Sequence, residues 1–138
     1  MDKALNYLSL ARKAGFAELG EEPVGAIART GKAYLIAVAS DASDHTWRRA
    51  KSFAAGTEQQ CVRLSATKDA MGMAIGRQEL AIAAITDPAL ALAMVQALGD
   101  AEKYAAALEV LSAKAAKAKK RQAEAKAHKR NVRTGKKK

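Results

Sequence analysis

The sequence predicts an α/β protein: a three-layer α/β/α sandwich built on a small mixed sheet of about four strands, followed by a basic C-terminal extension, helical or disordered. Three observations carry this expectation. Short continuous apolar runs alternate with stretches whose apolar residues recur at helical spacing. Gly, Pro, Asp and Ser punctuate the junctions between them. Positive charge is gathered at one end: residues 112–138 hold 12 of the 24 Lys and Arg against one acid, Glu124, which leaves +11, whereas 12 basic against 13 acidic residues in the preceding 111 leave −1.

Taken in order, residues 2–14 read as a helix, with Ala4, Leu5, Leu8 and Ala11 on one face and Gly15 at the C-terminal cap position. A short stretch from Phe16 to Leu19 leads to Gly20, two acids and Pro23 near the start of a second helix that ends before Gly31. Proline suits a helix start because its missing N–H would have had no partner there, and Glu21 and Glu22 suit the positive end of the helix dipole. The uninterrupted apolar run from Tyr34 to Ala39 predicts a strand buried on both faces. Ser43 or Asp44 caps a third helix through Trp47 and Ala50 to about Ala55, closed by Gly56.

Gln60 to Leu64 predicts another short strand, Ala66 and Thr67 open a helix of about two turns that stops near Gly76, and Ala81 to Ile85 is the next buried strand. Asp87 followed by Pro88 predicts a cap and first helical position for a helix to about Leu98. A domain at 1–98 is therefore expected, with a break at Gly99 and Asp100. The extension at 99–138 is dominated by Ala, Lys and Glu; packing through Leu108 and Leu111 is expected, and beyond Ala113 the helix is polar all round.

Composition narrows the function classes. Aromatic residues are only 4% of the chain, so the core should be small and aliphatic. One cysteine, Cys61, precludes an intramolecular disulfide. No N-terminal stretch has the order of a secretory signal, so a cytoplasmic protein is expected. No run approaches the roughly 18 apolar residues of a membrane span. His45 and His128 are the only histidines and stand far apart, and no Cys or His pair has zinc-ligand spacing. Neither a phosphate-binding P-loop nor a dinucleotide-binding glycine motif appears. No catalytic set, metal, cofactor or small-molecule substrate is expected, and the basic block points first to nucleic acid.

Five stretches occur in a specific order: Leu5-Asn-Tyr-Leu-Ser-Leu-Ala-Arg-Lys-Ala-Gly15, Gly20-Glu-Glu-Pro-Val-Gly-Ala-Ile27, Gly31-Lys-Ala-Tyr-Leu-Ile36, Ala39-Ser-Asp-Ala-Ser43 and Lys68-Asp-Ala-Met-Gly-Met-Ala-Ile-Gly76. Together they resemble the kink-turn-binding ribosomal protein family, the archaeal large-subunit seven-Ae and eukaryotic thirty-e type, and most of all its small bacterial members. The resemblance spans residue 4 to about 98 and excludes the extension.

The resemblance implies a non-catalytic sandwich that grips a sharply bent RNA internal loop, with RNA and the ribosome as partners. It assigns an RNA-binding role to Gly20, Glu21 and Glu22 at the start of the second helix, to Lys32, and to Met71, Gly72, Ile75, Gly76 and Arg77. In this scheme Gly20 permits close backbone approach, Ile75 and Gly76 form an apolar ledge for a splayed nucleotide, and Lys32 and Arg77 meet phosphates. From charge alone, Lys119, Lys120, Arg121, Lys129, Arg130 and Arg133 are expected to make nonspecific phosphate contacts.

The family pattern of Gly, any residue, Asn, Glu, two more and Lys is replaced here. Glu22 stands for Asn, Pro23 for Glu and Ala26 for Lys. An ionised Glu22 accepts hydrogen bonds but cannot donate them. The same acidic surface supports a different class of function, a protein-interaction module with a polyanion-binding extension.

Overall fold

A computed structural model describes the backbone of residues 2–133 and the side chains of residues 2–127. The elements are α1 (Lys3–Ala14), β1 (Ala17–Leu19), α2 (Glu21–Arg29), β2 (Leu35–Val38), α3 (Asp44–Ala54), β3 (Gln60–Arg63), α4 (Lys68–Ala74), β4 (Ile82–Ile85), α5 (Pro88–Ala97) and α6 (Ala105–Arg133). They form the expected α/β/α sandwich on a mixed sheet of four strands.

Local chemistry accounts for most boundaries. Asp2, Ser43, Thr67 and Asp87 accept hydrogen bonds from the first turns of α1, α3, α4 and α5, each satisfying a backbone N–H that the helix cannot. At the end of α1, Gly15 adopts the left-handed conformation and its N–H returns to the Ala11 and Arg12 carbonyls.

The strand order is β1-β4-β2-β3, with β2 and β3 parallel and β4 antiparallel to both β1 and β2. The parallel pair needs a crossover, which α3 supplies. Helices α2 and α3 pack together on one face of the sheet, while α1, α5 and α6 associate on the other. All four residues of β2 and of β4 are buried, as their unbroken apolar runs require of strands covered on both faces.

The core continues past residue 98. Gly99 ends the α5 segment with φ of 77°, and the Asp100 carboxylate caps the Lys103 N–H at 3.0 Å before the chain turns into α6. Ala107 and Leu111 of α6 are then buried against α5. One buried polar side chain, Gln59, ties the end of α2 to the approach to β2: its Oε1 accepts from Ala33 N–H at 2.9 Å, and its Nε2 donates to the Ala28 carbonyl at 3.2 Å. Among the described residues no helix is long and apolar enough to cross a membrane.

Candidate functional site

Strand direction decides which loops meet. Because β1, β2 and β3 run one way and β4 the other, the segments leaving β1, β2 and β3 share an end of the sheet with the segment entering β4. That end gathers Gly20 and the start of α2, residues 39–43, residues 64–67 and residues 75–81. Hydrogen bonds stitch them together: Gly20 N–H donates to the Ile82 carbonyl at 3.0 Å, Ala39 N–H to Ala81 at 2.9 Å and Ser40 N–H to Ala66 at 2.8 Å. The Asp41 carboxylate accepts from Lys68 N–H at 2.8 Å, so the β2–α3 loop helps to start α4. Two motifs about fifty residues apart in sequence thus become neighbours.

At the start of α2, Gly20 has φ of 98°, a conformation that side-chain-bearing residues rarely adopt, and no side chain caps the helix. Glu21 and Glu22 occupy the first turn, where their charge complements the helix dipole. Glu21 is drawn toward Arg49 of α3, whose Nε lies 3.8 Å from Glu21 Oε2 and whose guanidinium sits 5.3 Å from the centre of the Phe53 ring. Gly25 makes this possible, since a Cβ there would stand 3.0 Å from Phe53 Cζ. Glu21, Glu22, Gly25, Ala26, Arg29 and Arg49 together line a groove of about 310 Å³.

The second motif folds into a tight reversal after α4. The Gly72 carbonyl accepts from Ile75 N–H at 3.1 Å and from Arg77 N–H at 2.8 Å, while Leu80 N–H donates to the Lys68 carbonyl at 3.0 Å. Gly76 takes φ of 74° at the turn. The structure corrects the ledge expected from the sequence: Met71, Gly72 and Ile75 are buried, with Met71 fully enclosed, and the apolar side chain left outside is Met73, at 76% exposure. Met71, Ala74 and Ile75 stand at the three- and four-residue spacing of a helix face turned to the core, and Met73 falls off that face. The same periodicity, applied to this short segment, would have found it. Gly76 and Arg77 are exposed beside it.

Lys32 stands apart from this cluster. It is exposed, but it precedes β2 and so lies at the far end of the sheet from Gly20 and Arg77. The nine residues of α2 separate the two ends by about 13 Å at the usual rise per residue. Gly31-Lys-Ala is adjacent in sequence to the second helix but enters the sheet where the helix finishes. Arg49, by contrast, reaches the α2 start from another helix, which no local pattern announces.

In α6, Lys119, Lys120 and Arg121 are exposed; the side chains of Lys129, Arg130 and Arg133 lie outside the described residues. Cys61 is half-buried on β3, and burial pushes its thiol up to about 11 despite the opposing charge of Lys51. At neutral pH it is a protonated, poorly nucleophilic thiol.

No protein-family model matches the chain, and no curated protein is found to be similar to it. Solved structures do match. One is a protein with unknown function from Bacillus halodurans C, at 23% identity over 72% of this chain and 99% of that one, with a TM-score of 0.67. Another is the Giardia lamblia 15.5kD RNA binding protein, at 20% identity over 72% of this chain and 84% of that one, with a TM-score of 0.60. At these identities the likeness is one of fold, and it establishes that the α/β/α sandwich of this chain is shared with both.

Proposed function

We propose that this protein binds structured RNA without catalysing a reaction, using the end of the sheet where α2 begins and the α4–β4 segment turns. The observation that carries the reading is that strand direction brings Gly20, Gly76 and Arg77 to that end, with Met73 exposed on α4 just before the turn and beside Ser65 and Ala66. Such an arrangement offers a backbone surface for close approach, an apolar side chain for an unstacked base and a cation for phosphate. Protruding bases can be stacked upon and read on their edges, which an intact RNA helix does not allow. The fold shared with an RNA binding protein of Giardia lamblia supports the same reading.

The finer form of the proposal is a ribosome-associated or RNA-processing accessory protein of the cytoplasm that recognises a kink-turn-like bend, with the basic extension adding affinity that does not depend on sequence. The test is to titrate the full chain against a kink-turn hairpin and a straight hairpin of equal length at two salt concentrations. A clear preference for the bent RNA is expected, and equal affinity for the two would sink the specific form. A second reading rests on the groove with Glu21 and Glu22 at its rim: this face takes a protein, and only α6 takes RNA. Crosslinking in cells that recovered protein at Glu22 and RNA from α6 alone would favour it.

A further inference from the structure

The course of α6 separates the basic extension from the loop cluster. At its approach, the Tyr104 hydroxyl donates to the carbonyl of Arg63 at 3.1 Å, and Arg63 is the last residue of β3, at the same end as Gly20 and Arg77. Ten residues later, Lys114 Nζ meets Glu58 Oε1 at 2.6 Å, and Glu58 precedes the first residue of β3. Around and beyond that contact, Ser112, Ala115, Lys119 and Gln122 lie beside Asp87 and Pro88, which follow the exit of β4. The helix therefore starts at the loop-cluster end, traverses the sheet and leaves at the opposite end.

Everything strongly basic lies at or beyond that crossing. Residues 114–133 contain nine Lys and Arg against the single acid Glu124. Among the described side chains Lys114 pairs with Glu58, and Lys117 is also near enough to lower the pKa of that carboxyl. From Lys114 to Arg133 the helix continues for about 28 Å at the standard rise. Its exposed residues from 119 to 126 present no apolar stripe that would seat it on a protein partner. An elongated helix that exposes Lys119, Lys120, Arg121 and Lys126 fits a polyanion backbone.

We propose that α6 from Lys114 onward is a second RNA-binding surface, facing away from the loop cluster, that takes the phosphates of a separate RNA segment. One chain then holds two RNA segments, such as two arms of one fold, at opposite ends of the domain. The inference rests on the reading of the loop cluster as an RNA site for its first segment, but α6 has its own observations.

The test compares a kink-turn hairpin whose arms are about five base pairs with the same kink carrying arms of about twenty, so that only the longer RNA reaches α6. In the full chain, Lys119→Gln, Lys120→Gln, Arg121→Gln and Lys126→Gln are combined; all four side chains are exposed and Gln keeps helix propensity. The combined variant should lose at least tenfold in affinity for the long-armed RNA and reduce its salt slope by about 3, at about 0.7 to 0.9 per lost contact. Affinity for the short hairpin should change less than threefold. Glu124→Lys gives the opposite sign and raises the slope on the long RNA alone. Equal losses on both RNAs would place α6 on the segment held by the loops and overturn the proposal, as would no loss on either. If the full chain does not distinguish bent from straight RNA while the long-arm loss persists, the loop-cluster reading fails and the second surface is supported.

Discussion

A Cβ atom on residue 72 would lie 2.6 Å from the Cα of Glu79, so Gly72 and Glu79 meet backbone to backbone. The contact is what lets the chain reverse after α4 and still enter β4 in register, and it holds the Met73–Arg77 corner in place. Gly72→Ala forces that strand of backbone away and is expected to destabilise the fold by about 1 to 3 kcal/mol. It should also weaken RNA binding beyond the loss of folded protein. Urea unfolding and an RNA titration of the folded fraction check this; unchanged stability would mean that the 78–79 backbone does not sit over α4.

Met73 and Met71 are two residues apart and have opposite exposures, which gives a paired prediction. Met73→Ala removes an exposed side chain, so stability should stay within about 0.5 kcal/mol while affinity for a kinked hairpin falls several-fold. Met71→Ala empties a fully buried position and should destabilise by about 2 to 5 kcal/mol. Measured together, they separate a contact role from a packing role. If Met73→Ala bound RNA as well as the parent chain, Met73 would not be the apolar contact proposed here.

Glu22 lies at the rim of the α2 groove and is exposed, where an ionised carboxylate repels phosphate and offers no donor to a base. Glu22→Asn removes the charge and supplies a donor, and should tighten binding to a kink-turn hairpin by roughly tenfold, equivalent to about 1.4 kcal/mol. The variant should leave plain duplex binding almost unchanged. Equal gains on both RNAs would point to relief of general repulsion instead of recognition of the bend.

Cys61 supplies a pH test. Burial raises its thiol from an ordinary 9.0 to about 11, so the unfolded chain gives up this proton at lower pH than the folded protein does. The sign follows: the thiol detracts nothing from stability below about pH 9, and stability falls as pH rises from there toward about 11. Comparing urea unfolding of the parent with Cys61→Ala across that window isolates the contribution, which should be absent from the variant. Alkylation by iodoacetamide at pH 8 should be much slower than for a free cysteine, and rapid labelling would contradict the burial.

Much of the architecture was legible in the chain because its signals are local. The unbroken apolar runs around β2 and β4, the Asp87-Pro88 start of α5 and the Ser43 cap of α3 each express a preference that a few neighbouring residues satisfy. The strands are shorter than the apolar runs: Tyr34, Ala39 and Ala81 lie just outside them and contribute only the flanking hydrogen bonds, Ala39 N–H to Ala81 and Gln60 N–H to Tyr34. Site residues were less legible. Ile75 and Met71 belong to a recognisable motif, yet in a helix of seven residues the choice between core and surface turns on a rotation of one position. Arg49 was out of reach altogether, because its approach to Glu21 depends on how α2 and α3 pack through Gly25 and Phe53.

By itself the sequence determined the order of α1 to α5 and of β2, β3 and β4, most of their caps and the concentration of positive charge from residue 112 onward, because each depends on composition or on contacts within a few residues. Only the tertiary structure decided which end of the sheet each loop occupies. Strand direction is set by pairing between distant segments: β4 runs against β1 and β2, and this brings Arg77 to Gly20 while it sends Lys32 to the other end. The same pairing, together with the burial of Leu111 against the core, turns a basic stretch of sequence into a helix that leaves the domain opposite the loop cluster.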